Sequence, residues 1–160
     1  MAIGPAGGWD WQEKGVFVAA VQVGTRGRCT LSARTRHELS WYEPGAEVLG
    51  LLRPGGLVQL YGVAQANAIR DRVELLREDL SGPQRRSAAE MLLRIQDRCR
   101  RLVVDRTDNR LELPDEVAVH LEAVDGATIF AVRIFERLEL WSKKHREERL
   151  AEPIEFLEDM

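Results

Sequence analysis

The sequence repeats itself after about 82 residues. Thr25-Arg26-Gly27-Arg28-Cys29-Thr30-Leu31-Ser32 returns as Thr107-Asp108-Asn109-Arg110-Leu111-Glu112-Leu113-Pro114, with Thr, Arg, Leu and a turn-prone last residue in register. Both copies continue into a short polar stretch ending in His37-Glu38-Leu39 or His120-Leu121-Glu122, then reach a glycine, Gly45 or Gly126. Both close on a similar strand, Leu57-Val58-Gln59-Leu60-Tyr61-Gly62 and Arg137-Leu138-Glu139-Leu140-Trp141-Ser142, where the lag has fallen to 80. The drift places two small length differences in loops. A duplicated unit of about 40 residues has to bury one face against its twin, so the fold is decided by how the two copies pair.

Local patterns fill in the elements. Phe17 to Val23 is a β-branched run stopped by Gly24, which reads as a strand, and Cys29-Thr30-Leu31 is a second, short one. Ala33 to Leu39 reads as one or two helical turns. Val48 to Leu52 and Leu57 to Tyr61 form a hairpin about Arg53-Pro54-Gly55-Gly56, whose Pro and Gly residues suit the fixed and positive φ values of a tight turn. The second unit repeats this order with strands at Leu102-Val103-Val104 and Leu111-Glu112-Leu113, a helical turn from Pro114 to Leu121, and a hairpin of Thr128–Arg133 with Leu138–Trp141.

Between the units lies a helical pair. Ile69, Val73, Leu76 and Leu80 share one helix face, and Ser81-Gly82-Pro83 breaks it. The second helix carries Met91, Leu92, Ile95, Cys99 and Leu102 on its expected buried side, and Ser87-Ala88-Ala89-Glu90 has the form of a capping box. Arg85, Arg86, Arg94, Arg98, Arg100 and Arg101 fall mostly on the opposite face, either as a solvated surface or as a stripe facing phosphates or another subunit. Ser142 is the expected N-cap of a last helix from Lys143 to about Leu150. Gly7-Gly8 and the Trp9 and Trp11 pair suit a lead-in with an anchor.

Charge narrows the function classes. A net charge of −3 divides unevenly: +1 over residues 1–63, +3 over 64–101 and −7 over 102–160, with Glu147, Glu148, Glu152, Glu155, Glu158 and Asp159 at the end. A domain that binds nucleic acid is usually basic overall, so any such surface here has to be local. No apolar run approaches the roughly 18 residues of a membrane span, and Met1 to Gly8 lacks the features of a secretion signal, so a cytoplasmic protein is expected. Cys29 and Cys99 have no neighbouring thiol or ligand-spaced histidine, which predicts reduced thiols and no zinc site. There is no Gly-rich phosphate loop and no nucleophile elbow, and His37, His120 and His145 are not at metal-ligand spacings. No enzyme, cofactor, metal or small-molecule substrate is expected. His37 and His120, at nearly equivalent places, suit a structural role, and Trp41, Tyr61 and Trp141 suit packing at strand ends.

Phe17 to Leu39 resembles the opening of MraZ proteins, where a strand leads to an Asp-x-x-Gly-Arg turn, a short strand, a Pro-Ala pair and a Phe-Arg helical turn. Arg94 to Leu113 and Leu138-Glu139-Leu140-Trp141-Ser142 are similar to the second MraZ repeat and its closing strand, so the resemblance covers nearly the whole chain. MraZ proteins are bacterial transcription regulators of the division and cell-wall gene cluster. They carry two repeats of the swapped-hairpin fold shared with AbrB and SpoVT, and they assemble into rings. The resemblance therefore implies an α+β chain: a duplicated swapped-hairpin AbrB-like β-barrel with a helical pair between the repeats and a C-terminal helix. Its parts would be a first repeat at 1–63, a helical insert at 64–101, a second repeat at 102–142, and a helix with acidic tail at 143–160. It implies a nucleoid-associated ring homo-oligomer that binds double-stranded DNA at tandem promoter repeats. The chain departs from the family where an acidic residue stands four positions before each motif arginine: here those positions are Gly24 and Arg106. Asn109 replaces the second motif glycine, and Asp105 lies one position early.

The candidate DNA-contacting residues are Arg26, Arg28, Arg34, Arg36, Arg106 and Arg110. The first four lie within eleven residues with no acid before Glu38, and a guanidinium on a turn can hold a phosphate or pair with guanine through two hydrogen bonds. Arg28 and Arg110 also admit a structural reading, bracing their turns. Two other functions stay open: an oligomeric structural or interaction protein of the same fold without DNA affinity, and an antitoxin-like module binding both an operator and a partner.

Overall fold

The computed structural model describes residues 16–151; the Trp9 and Trp11 pair and the acidic stretch from Glu152 onward lie outside the described residues. The first unit contributes β1 (Val16–Gln22), a 3₁₀ turn at Thr25–Gly27, β2 (Arg28–Cys29), α1 (Ala33–His37), β3 (Glu47–Arg53) and β4 (Leu57–Gly62). The helical pair is α2 (Val63–Glu78) and α3 (Pro83–Arg98). The second unit supplies β5 (Cys99–Val104), β6 (Leu111–Glu112), α4 (Asp115–His120), β7 (Thr128–Ile134) and β8 (Arg137–Trp141), followed by α5 (Lys143–Ala151). The eight strands make one antiparallel sheet in the order β1-β7-β8-β4-β3-β5-β6-β2. A bridge between Val23 and Cys29 brings the two ends of that order together, so the sheet is nearly a closed barrel. No helix among the described residues is long and apolar enough to cross a membrane.

The pairing is reciprocal. β1 joins the other unit's β7, with Gln22 opposite Thr128, and β5 joins β3, with Val103 opposite Glu47. These two pairs are the same pair displaced by 81 residues. The closing strands β4 and β8 meet about Gln59 and Glu139, and the short strands β2 and β6 meet about Cys29 and Leu111. A pseudo-twofold axis therefore passes between β4 and β8 on one side of the barrel and between β2 and β6 on the other. Neither unit closes a core alone. Val23, Cys29, Leu31, Val48, Val58 and Leu60 from the first unit interlock with Leu102, Val104, Leu111, Leu113, Ile129, Leu138 and Leu140 from the second, all buried. At about 2 kcal/mol for each large apolar side chain removed from water, this shared interior outweighs anything the exposed helical pair contributes.

Loop lengths account for the drift in lag. The first hairpin turns through Pro54, Gly55 and Gly56, whereas the second turns through Phe135 and Glu136 alone. Gly55 and Gly56 have φ of 90° and 85°, and Phe135 takes 57°.

Several expectations need correction. The second unit's first strand begins at Cys99 rather than Leu102, so Cys99, Arg100 and Arg101 belong to a strand, not to the preceding helix. Ser87-Ala88-Ala89-Glu90 is no capping box: α3 starts earlier, with Pro83 in its first turn after Gly82, a position proline tolerates because its missing N–H has no partner there anyway. Glu90 instead faces Arg86 at 3.3 Å. Met91 is exposed, and Leu92 is the buried residue of α3. The N-cap at Ser142 is as expected, its Oγ accepting from the His145 N–H at 3.0 Å.

Candidate nucleic-acid interface

Pleating decides what the β2–β6 pair presents. Cys29 and Leu111 point into the barrel and are fully buried, so their strand neighbours Arg28, Arg110 and Glu112 point out of it. Thr25, Arg26, Arg28 and Arg110 line an open depression of about 260 Å³ at this end of the pseudo-twofold axis. Arg28 and Arg110 are equivalent residues of the two units, so the fold itself brings the two motif arginines to one surface. Their side chains keep 35% and 47% of their accessible surface, enough to meet a ligand.

The two turns reach this result differently. In the first, the Gly24 N–H donates to the Arg28 carbonyl at 2.8 Å, and the chain reverses through Arg26 and Gly27 at φ of 61° and 72°. A Cβ on Gly27 would lie 2.5 Å from the Leu113 carbonyl oxygen, so the position excludes a side chain on space as well as on conformation. In the second, the Asp105 N–H donates to the Arg110 carbonyl at 2.8 Å, across one more residue, and Asn109 takes φ 61°. Asp105 therefore stands where Gly24 stands, because the longer turn has shifted the register by one. Its Oδ1 accepts from the Thr107 N–H at 2.7 Å and from the Asp108 N–H at 3.2 Å. These two backbone donors, with a smaller contribution from the Arg28 charge, hold its carboxyl below the usual carboxylate range. Asp105 fixes the backbone of its turn rather than orienting a guanidinium.

Carboxylates stand beside the motif arginines. Arg28 Nε is 3.7 Å from Glu112 Oε1 across the strand pair, and Arg110 Nε is 3.7 Å from Asp108 Oδ2. Both distances are too long for a good hydrogen bond, and half-exposed pairs of this kind contribute little to stability. That Glu112 faces Arg28 follows from the strand register, which sets the two opposite each other in the ladder.

The other three candidates go elsewhere. Arg34 lies over the Phe17 ring at 4.7 Å. Arg36 donates from Nε to the Leu31 carbonyl at 3.1 Å and so ties α1 to the segment that leads into it from β2. Arg106 folds across Gly45, where a Cβ would be 2.9 Å from its Nε. The depression is thus formed by Arg26, Arg28 and Arg110 without them.

His120, His145 and several aromatic residues serve the frame. His120 Nε2 is 2.7 Å from the Arg53 carbonyl and 3.2 Å from that of Leu57, and His145 Nδ1 is 3.1 Å from the Gly55 carbonyl, so two helices clasp the first hairpin turn. His37 is exposed, and at the 82-residue lag of the helical turn its equivalent is Val119 rather than His120; the two histidines do different things. The Trp41 indole donates to the Glu136 carbonyl, and Trp141 packs edge-on against His145 at 4.8 Å. The Tyr42 hydroxyl donates to the Asn109 carbonyl at 3.0 Å, and burial pushes its pKa up to about 12. Among the described residues no three His, Cys, Asp or Glu side chains gather as a metal site. The sequence matches no protein-family model and no curated protein.

Proposed function

We propose that this chain is a double-stranded-DNA-binding transcription regulator of MraZ type, with two AbrB-like swapped-hairpin repeats. It acts as a nucleoid-associated ring homo-oligomer in the cytoplasm, on tandem promoter repeats of the division and cell-wall gene cluster. The observation that supports this reading is the meeting of Arg26, Arg28 and Arg110, drawn from both turns, on one open surface at the pseudo-twofold axis. Guanidiniums so presented can pair with guanine edges or phosphate oxygens. One chain with two or three phosphate contacts binds weakly, each adding a slope of about 0.9 in log affinity against log salt. A ring repeating the surface along repeated sites multiplies those contacts, which is why modest local charge suffices. The neighbouring Asp108 and Glu112 weaken phosphate contacts without abolishing them in dilute buffer, so specific pairing supplies the discrimination at higher salt.

Gel-shift titration of a promoter fragment with tandem repeats tests this. Arg28→Ala and Arg110→Ala should each weaken binding roughly tenfold or more, the cost of one specific base contact. Unchanged affinity in both would remove the depression from any DNA interface.

A second reading, an oligomeric structural protein of the same fold without DNA affinity, is favoured by the carboxylates beside the motif arginines. Binding to random duplex in dilute buffer separates the two: the regulator binds it and loses it steeply with salt, whereas the scaffold does not bind.

A further inference from the structure

Arg133 is the most deeply buried charged side chain among the described residues, at 3% exposure. It lies near the end of β7, opposite Phe17 on one side and Leu138 on the other. Its equivalent in the first unit, 81 residues earlier, is Leu52, a residue packed against the core. The second unit has thus put a guanidinium in a slot that the fold fills elsewhere with an apolar side chain. Arginine does not shed its proton to escape such a place, so burial there is costly without a counter-charge. No ion pair meets it: among the described residues no carboxylate comes within pairing distance of Arg133, its one hydrogen bond there is a long one of 3.4 Å from Nη1 to the Phe135 carbonyl, and its Nε has no partner. The little of the side chain that reaches the surface does so at one place. It lines an open pocket of about 350 Å³ with Ala33, Arg34, His37 and Glu38 of α1 and its flank.

We propose that this pocket is a binding site for a small carboxylate, held by the Arg133 guanidinium beneath α1. A planar guanidinium matches the two oxygens of a carboxylate, which would approach it from the pocket side, and Arg34 lines the rim. Glu38 lines the same pocket and selects against a dianion, which is why a carboxylate is assigned rather than a phosphate. The site lies away from the Arg26, Arg28 and Arg110 surface and stands independently of the DNA reading.

The test uses the ¹⁵N-labelled full chain and follows arginine Nε–Hε resonances while sodium acetate, sodium phosphate or sodium chloride is added at matched ionic strength. The Arg133 resonance, identified by its absence in Arg133→Lys, should shift saturably with acetate, less with phosphate and not with chloride. Acetate should also raise the melting temperature of the wild type. Arg133→Leu, which installs the residue of the first unit, should fold and lose that rise. Arg133→Lys should bind acetate roughly tenfold more weakly, because an ammonium cannot reproduce the paired geometry. Glu38→Gln should tighten acetate binding. An Arg133 resonance unmoved by acetate would overturn the proposal, as would an equal thermal response in Arg133→Leu. A larger shift with phosphate than with acetate would overturn the carboxylate assignment. If Arg133→Leu does not fold, the resonance titration of the wild type decides alone.

Discussion

The first unit passes from β1 into β2 through one residue fewer than the second uses between β5 and β6, yet both deliver an arginine to the same surface. The first relies on a glycine that leaves no room for a side chain, the second on Asn109 and on the carboxylate of Asp105. Further along the order is reversed: the first hairpin spends three residues and two glycines where the second spends two residues and none. What is preserved between the halves is the position at which each strand pairs with the other half. Turn chemistry drifts freely around that constraint. Interior positions drift too, provided the volume and polarity are met: Thr35 is buried where the other unit has Val117, and its hydroxyl is satisfied by Ser32 at 2.8 Å.

The sharpest way to break the comparison is at the axis. Cys29 and Leu111 face each other across the β2–β6 pair and are equally buried, but they fill unequal volumes. Leu111→Ala should cost about 3 kcal/mol, combining lost transfer energy with a cavity. Cys29→Ala should cost roughly 1 kcal/mol, since far less volume is removed. At this chain length the two correspond to falls of about 10 °C and 3 °C in melting temperature. Equal falls would mean that the barrel collapses around either site, and that the axis is not the tightly packed seam described. The Cys29 thiol, whose pKa burial pushes up to about 12, should resist thiol reagents in the folded state and react on unfolding.

The hairpins give a smaller effect with opposite signs. Gly56 has φ of 85°, and a Cβ there would lie 2.4 Å from Ser142 Oγ, so Gly56→Ala should destabilise by roughly 2 kcal/mol through clash and backbone strain together. Phe135 already holds a side chain at φ 57° and is 64% exposed. Phe135→Gly relieves that conformation and should stabilise by about 0.5 kcal/mol. Urea unfolding of the two variants checks both. Destabilisation by Phe135→Gly would mean that the exposed ring packs on something worth more than the backbone strain.

Much of this was legible in the sequence because strands and turns announce themselves locally. The repeat, the falling lag and the glycine-bearing first hairpin all follow from patterns spanning a few residues. The destinations of long side chains do not. Arg34, Arg36 and Arg106 have the same chemistry as Arg26, Arg28 and Arg110, yet the Phe17 ring, the Leu31 carbonyl and the Gly45 backbone claim them. Those partners are near or far in the chain without any periodic signal. The insert misled for a different reason: Ser87-Ala88-Ala89-Glu90 carries a genuine helix-start pattern, but Pro83 offers an earlier start and the capping residues end up inside the helix. Arg133 was legible only after the halves were aligned, since a lone arginine in a strand reads as solvated until Leu52 stands beside it.

The smallest predicted effect isolates what Asp105 adds to the second turn. Its carboxyl titrates below the ordinary 3.8 in the folded chain, chiefly because the Thr107 and Asp108 N–H groups favour the charged form. A group depressed in this way stabilises the fold fully above its unfolded value and loses that contribution as pH falls through the folded one. Asp105→Asn keeps the shape and an acceptor oxygen but cannot ionise. The melting-temperature gap between wild type and this variant should therefore be constant from neutral pH down to about 5, and should close as the pH falls below about 4. Taking the difference cancels the other carboxylates, provided they do not touch the turn. Asp108 does, accepting from the Arg110 N–H at 3.2 Å, so an Asp108→Asn background serves as the control. A gap that stays constant to the acid limit in both backgrounds would mean that the Asp105 charge does nothing for the turn. The second unit would then keep its arginine in place through Asn109 and the strand ladder alone, as the first does with Gly27.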